Sequence, residues 1–215
     1  MKTVPSKWAR RQPPFRVMEV LKRARELERE GRRVIHFEVG EPDFPTASVI
    51  VEAGKRALDD GHTGYTEALG IPELRNAIAD DYRSRFGINI ESNRIAVTSG
   101  ASGALNLLFS VLLNPGDQVL MSDPGYPCNE AFIRLVGGEP IRMPVDQRTG
   151  YQPTVELVKE DWTADTVGVI LATPSNPTGA MIQTAQLEAI NDFVVERQGF
   201  VMVDEIYQGL VYEPD

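Results

Sequence analysis

The sequence predicts an α/β fold in which a mostly parallel sheet is covered by helices on both faces. From Arg94 onward, apolar strands alternate with stretches of helical periodicity. The strands "TVGVILAT" and "FVMV" are also continuous apolar runs rather than alternating ones. Strands buried on both faces read this way, as they do in parallel sheets with helical crossovers.

Taken in order, "PPFRVMEVLKRARELEREG" spaces Val17, Val20, Leu21, Ala24 and Leu27 at helical intervals, with Gly31 as the stop. Its charge-rich part, "RARELERE", reads as a solvated face with internal ion pairs. "RVIHFEV" reads as a short strand running into the turn-rich "GEPDFPT". A second helix is expected from about Ser48 to Asp60, followed by the loop "HTGYTEALG". Pro72 suits the first turn of a third helix, "PELRNAIADDYRSRFG". A linker near Asn89 to Asn93 separates this part from the alternating region. There "RIAVTSG", "QVLMSD", "PIRMPV", "TVGVILAT" and "FVMVDE" are the expected strands. The helices between them are "ASGALNLLFSVLL", "CNEAFIRLVGG" and "TAQLEAINDFVVERQG".

Composition narrows the function. The 215 residues are 42% hydrophobic and 25% charged, ordinary for a globular protein, and suffice for a sizeable core. A net charge of −9 argues against nucleic acid, which needs clustered Lys and Arg; the basic "KWARRQPPFR" reads as a solvated arm. A single cysteine, Cys128, fits a reducing compartment, and no apolar run has the length of a membrane span. With no secretory signal after Met1, the expected location is cytoplasmic. His36 and His62 are too scattered for a metal site, and Glu41 and Asp43 read as parts of a structured loop rather than a catalytic pair.

In open α/β sheets ligands bind outside the carboxyl ends of the strands, and four strands here carry unusual residues at that end. "TSGASG" opens a helix, where N–H groups and the helix dipole suit a phosphate, although Ser and Gly also cap ordinary helices. "SDPGYP" offers Tyr126 as a flat face, or as a packed turn residue. "TPSNPTG" holds Asn176 between two prolines, as a restrained donor or as a turn device. Asp204 ends the buried run "FVMV", where a carboxylate needs a cation, a metal or a set of donors; a helix cap or a salt bridge would also serve. Tyr207 follows at a spacing that lets a turn return its hydroxyl to the same place. Together these groups describe one ligand with a phosphate, a flat ring, a polar ring substituent and a ring cation. Pyridoxal phosphate has all four.

The motifs "GEPDF", "GYTEALGIPELR", "TSGASGALNLL", "DPGYP", "NPTG" and "VDEIY", in that order, resemble the class I/II aminotransferases, which are fold type I pyridoxal-phosphate enzymes. The resemblance runs from about Val17 and implies a three-layer α/β/α large domain. Residues 1–45 would form an N-terminal arm and part of a small domain, and residues 46–215 an incomplete cofactor-binding large domain. It implies that Ala101 and Ser102 hold the phosphate and that Tyr126 stacks on the ring. Asn176 and Tyr207 would bond the ring hydroxyl oxygen, and Asp204 would pair with the ring nitrogen. Tyr65 would reach the cofactor of a partner subunit, implying a homodimer, and Gly40 would lie near the substrate carboxylate. Ala47 and Cys128 depart from the pattern, which often has proline and an aromatic residue there.

The family's Schiff-base lysine follows "DEIY" by a few tens of residues and is not among Lys2, Lys7, Lys22, Lys55 and Lys159, so the 215 residues are expected to be inactive alone. In the family's sheet the strands after "DEIY" stand between "RIAVTSG" and "TVGVILAT", so the sheet is expected to stop short of its last strands. The activity implied is amino-group transfer from an α-amino acid to a 2-oxo acid. A C–S lyase of the same fold and an inert binding module are the alternatives. A nicotinamide dehydrogenase fits less well, since "GASG" is not GxGxxG, although Asp123 approaches the expected acidic position.

Overall fold

The computed structural model describes residues 4–6, 9–12, 14–40 and 44–210. The chain forms two compact units, Phe15–Thr98 and Met1–Pro14 with Ser99–Asp215.

The Phe15–Thr98 unit contains three helices: α1 (Arg16–Arg29), α2 (Ser48–Asp59) and α3 (Pro72–Phe86). Each lies where periodicity predicts it. Pro72 opens α3, where its missing N–H costs nothing, and Gly87 closes it in the left-handed region that a Cβ disfavours. The two strands expected here are absent. Among the described residues Arg33–Val39 and Arg94–Val97 are assigned to no strand; a strand exists only where a second backbone satisfies its N–H and C=O groups in a ladder. Phe37 is 92% exposed, and the Val97 N–H donates instead to the Leu69 carbonyl at 3.0 Å.

Arg33–Val39 is held to α1 by His36. Its Nε2 lies 2.9 Å from a Glu28 carboxylate oxygen and its Nδ1 2.5 Å from one of Glu38. The hydrogen bond to Glu28, then that to Glu38, raises the imidazole pKa above its ordinary 6.5, while the bond to His36 lowers the Glu38 carboxyl below 4.5.

The second unit holds α4 (Gly100–Leu112), β1 (Gln118–Asp123), α5 (Pro127–Leu135), β2 (Glu139–Pro144), α6 (Val155–Asp161), β3 (Thr166–Ala172), α7 (Thr184–Glu196) and β4 (Phe200–Asp204). The short helix α6 lies outside the elements predicted from sequence. The four strands are parallel, in the order β2-β1-β3-β4. Successive strand residues serve opposite faces. Leu120, Val169 and Leu171 join Val155 and Val158 of α6 and Ile190 and Val194 of α7. Val119, Met121 and Ile170 join Leu105 and Phe109 of α4 and Ile133 of α5. The sheet therefore has two apolar cores and three layers, which is why its strands are apolar throughout. The neighbour of β3 away from β1 is β4 itself, and among the described residues no strand covers the outer edge of β4.

Apolar surface remains uncovered on both units. Leu107, Leu108 and Val111 of α4 are exposed, and α2 exposes Val49, Ile50 and Leu58 while burying no residue. With a free β4 edge, these faces favour association over solvation. The 215-residue chain expressed alone is therefore expected to self-associate and to bind an apolar dye. Reversible two-state unfolding of a monomer near the usual ~45–65 °C would contradict this.

The His36 clip gives a second expectation. A raised imidazole pKa stabilises fully below 6.5 and is lost as pH rises through the folded-state value. A lowered carboxyl pKa stabilises above 4.5 and is lost as pH falls through its folded-state value. An NMR titration should give His36 a midpoint above 6.5, and Glu28→Gln should bring it down.

Candidate active site

The parallel sheet brings the ends of β1, β3 and β4 to one edge, and the loops that follow carry the expected residues. At β4, Asp204 stands opposite Ala172 of β3, and its carbonyl accepts the Thr173 N–H at 3.1 Å. One carboxylate oxygen, Oδ1, accepts the Ile206 N–H at 3.1 Å. This Asx-type turn reverses the chain after the strand and accounts for part of the carboxylate's capacity. Among the described residues no Lys or Arg pairs with Asp204, so the salt bridge that could have explained a carboxylate here is absent.

The turn returns Tyr207 toward the loop after β3. Its hydroxyl lies 3.5 Å from Nδ2 of Asn176, the long limit of a hydrogen bond, so both groups keep capacity for a third partner. The loop is closed by its own backbone: the Ser175 N–H donates to Ala180 at 2.9 Å and the Gly179 N–H to Ser175 at 2.8 Å.

Tyr126 precedes α5 on the β1 loop. Gly125 is required beside it, since a Cβ there would meet the Ser122 carbonyl oxygen at 2.5 Å. The helix behind is pinned by Glu130, buried on α5, which bonds Arg134 at 2.9 Å and also Arg142 of β2. Burial pushes the Glu130 carboxyl up, but the Arg142 and Arg134 guanidiniums outweigh it and hold the pKa below 4.5.

The Tyr126 phenol is pushed from 10.0 up to about 12. A hydrogen bond to the Cys128 side chain is the leading cause, because it favours the protonated phenol over the phenolate. Burial adds to this, the Ser102 hydroxyl opposes it by hydrogen bonding, and the Asp204 carboxylate raises it further. Tyr126, Ser102, Cys128 and Asp204 thus share one electrostatic neighbourhood, and near neutral pH the phenol is a proton donor.

Ala101 and Ser102 stand exposed in the first turn of α4, where N–H groups lack acceptors within the helix. Gly100 takes φ +71, the left-handed value that turns the chain into that helix. Ser102, Tyr126, Asn176, Asp204 and Tyr207 are therefore gathered at the carboxyl edge of the sheet, with Ala101 next to Ser102. Tyr65 and Gly40 belong to the other unit: Tyr65 is fully exposed, and a Cβ on Gly40 would meet nothing within 4 Å. Glu41 and Asp43 lie outside the described residues. The Cys128–Tyr126 contact escaped the sequence reading, where Cys128 stands out only as a departure from the family pattern. The described lysines sit on helices. Lys55 bonds Glu52 of α2 at 2.8 Å, and Lys159 of α6 lies over the Phe193 ring at 5.7 Å. No helix among the described residues is long and apolar enough to cross a membrane.

Tyr126 should remain protonated at about pH 11, where an ordinary tyrosine is mostly ionised. The difference in ultraviolet absorbance between wild type and Tyr126→Phe isolates its signal. Cys128→Ala should move the midpoint down toward 10, and an unmoved midpoint would reject the thiol as the leading cause.

Known proteins share this fold. The sequence profile for aminotransferase class I and II matches residues 32–215. A (5-formylfuran-3-yl)methyl phosphate transaminase of Methanocaldococcus jannaschii is 39% identical over 199 residues, covering 93% of this chain and 50% of the relative. A probable aspartate/prephenate aminotransferase of Aquifex aeolicus gives the same identity and coverage. The aspartate aminotransferase of Thermus thermophilus, solved with maleate, superposes with a TM-score of 0.95 at 34% identity, covering 100% of this chain and 56% of that one. The chain spans about half the length of the curated relatives it matches, at 50% of each of these two. With this profile spanning most of its length and this fold beneath it, the chain belongs to the class I and II aminotransferases.

Proposed function

We propose that the protein carrying this chain is a pyridoxal-phosphate-dependent aminotransferase that moves an amino group from an α-amino acid to a 2-oxo acid. The observation that carries the reading is Asp204: a half-buried carboxylate at the end of β4, without a cationic partner among the described residues, beside Tyr126 and ahead of the Asn176–Tyr207 pair. Such an anion fits a protonated ring nitrogen, and the family is generally pyridoxal-phosphate-dependent. When bound, that cofactor supplies a ring that accepts electrons from the substrate carbon.

The chain's own residues divide the remaining work. Asp204 keeps a proton on the ring nitrogen by charge. Asn176 and Tyr207, 3.5 Å apart, share the ring oxygen. Tyr126, beside Asp204, would cover the ring face as a neutral phenol. Ala101 and Ser102 receive the phosphate at the start of α4, where the helix dipole favours an anion.

Other parts of the reading rest on the resemblance. Residues 1–45 form an arm and part of a small domain, and 46–215 the first part of a large domain. Gly40 lies by the substrate carboxylate, and Tyr65 serves the cofactor of a second copy in a homodimer. The lone cysteine supports a cytoplasmic location. The lysine that bonds the cofactor is not among these 215 residues, so catalysis belongs to the complete protein.

The test uses that complete protein loaded with pyridoxal phosphate and given amino acids one at a time without an oxo acid. One equivalent of 2-oxo acid and no ammonia is the expected result; catalytic ammonia release would indicate a lyase instead. Asp204→Ala should weaken cofactor binding by about 10- to 100-fold, the worth of about 1.5–3 kcal/mol for a charged hydrogen bond. Unchanged binding would overturn the role of Asp204.

A further inference from the structure

Gln152 lies in the turn between β2 and α6 and is 6% exposed. Its Nε2 donates to two carbonyls at once, Ala172 at 3.0 Å and Ala180 at 2.6 Å. A primary amide has two N–H donors, so both bonds can be made together. The two carbonyls are the ends of the loop that carries Asn176. Ala172 is the last residue of β3 and stands opposite Asp204 in the ladder, and Ala180 also accepts the Ser175 N–H. The turn holds Gln152 in place, with the Tyr151 N–H on the Asp146 carbonyl at 2.8 Å and the Gln152 N–H on that of Thr149 at 3.2 Å. A buried amide is costly unless its donors are met, and here they are met by the mouth of one functional loop.

We infer that Gln152 is a positioning residue for the ring-recognising end of the site. It clamps residues 173–179 so that the Asn176 amide stays facing the Tyr207 hydroxyl, at a spacing that lets both hold one ring oxygen. The inference rests on the pyridoxal-phosphate reading above.

The test compares pyridoxamine 5′-phosphate with its 3-deoxy analogue, which lacks the ring hydroxyl, in binding to the complete protein by calorimetry. Wild type should prefer the hydroxylated compound by about tenfold, the scale of one good hydrogen bond. Gln152→Met, similar in shape but unable to donate, should reduce that preference below about threefold. Its affinity for inorganic phosphate should stay within about twofold, because the α4 cradle is untouched. A folded Gln152→Met protein that keeps the full preference overturns the inference. Amide exchange judges the clamp without any cofactor. The Ser175 and Gly179 N–H groups of wild type should exchange as slowly as those of β3, and rapid exchange at both would overturn the clamp even if the variant fails to fold. If wild type binds neither compound, the pyridoxal-phosphate reading fails, and the exchange rates alone decide the clamp.

Discussion

The parallel ladder between β3 and β4 is the constraint on which the site depends. It sets Ala172 opposite Asp204 and commits the Asp204 carbonyl to the Thr173 N–H. From that one pairing the loop after β3 and the turn after β4 leave the sheet side by side, which is why Asn176 and Tyr207 meet although 31 residues separate them. A slip of one residue would send every side chain of β4 to the opposite face and carry Asp204 into an apolar core. Two packed faces make that slip costly: Met202 joins one core, and Val201 packs against the other.

The electrostatics of the edge follow from what the ladder leaves unpaired. Glu130, a buried carboxylate of this unit, is held by two arginines and helps to fix α5. Among the described residues, Asp204 has a backbone N–H on one oxygen, no cationic partner, and the Tyr126 phenol in its field. The contrast separates a structural ion pair from a half-buried carboxylate kept available for a cation. Tyr126 reports the same field from the other side. Cys128, burial and Asp204 all disfavour its phenolate, so the phenol stays a neutral donor in the field of the Asp204 carboxylate.

The two expected strands that are missing make the complementary point. "RVIHFEV" and "RIAVTSG" have the composition of strands, but strand formation is a property of pairs. Arg33–Val39 is tied to α1 by a histidine clip, and Val97 takes the Leu69 carbonyl instead of a ladder. Among the described residues the outer edge of β4 and the apolar side of α4 are equally uncovered, in a chain that spans about half the length of its relatives, at 50% of each of the two compared above.

What the residues by themselves determined was local or periodic. The helices followed from spacing, the start of α3 at Pro72 from backbone geometry, and the sheet of β1 to β4 from runs too apolar to face water on either side. Even the gathering of Ser102, Tyr126, Asn176 and Asp204 was legible, because parallel strands joined by helices must bring their carboxyl ends to one edge. Tertiary structure alone decided the rest, since each remaining feature depends on which backbones became neighbours. Cys128 came to govern the Tyr126 phenol through contact, not motif. Gln152, in a turn with no signature, became the clamp of a loop that begins 21 residues later at Thr173, because folding set its amide between two carbonyls. Periodicity and turn chemistry are written in adjacent residues; long-range hydrogen-bond partners are chosen only when the layers close.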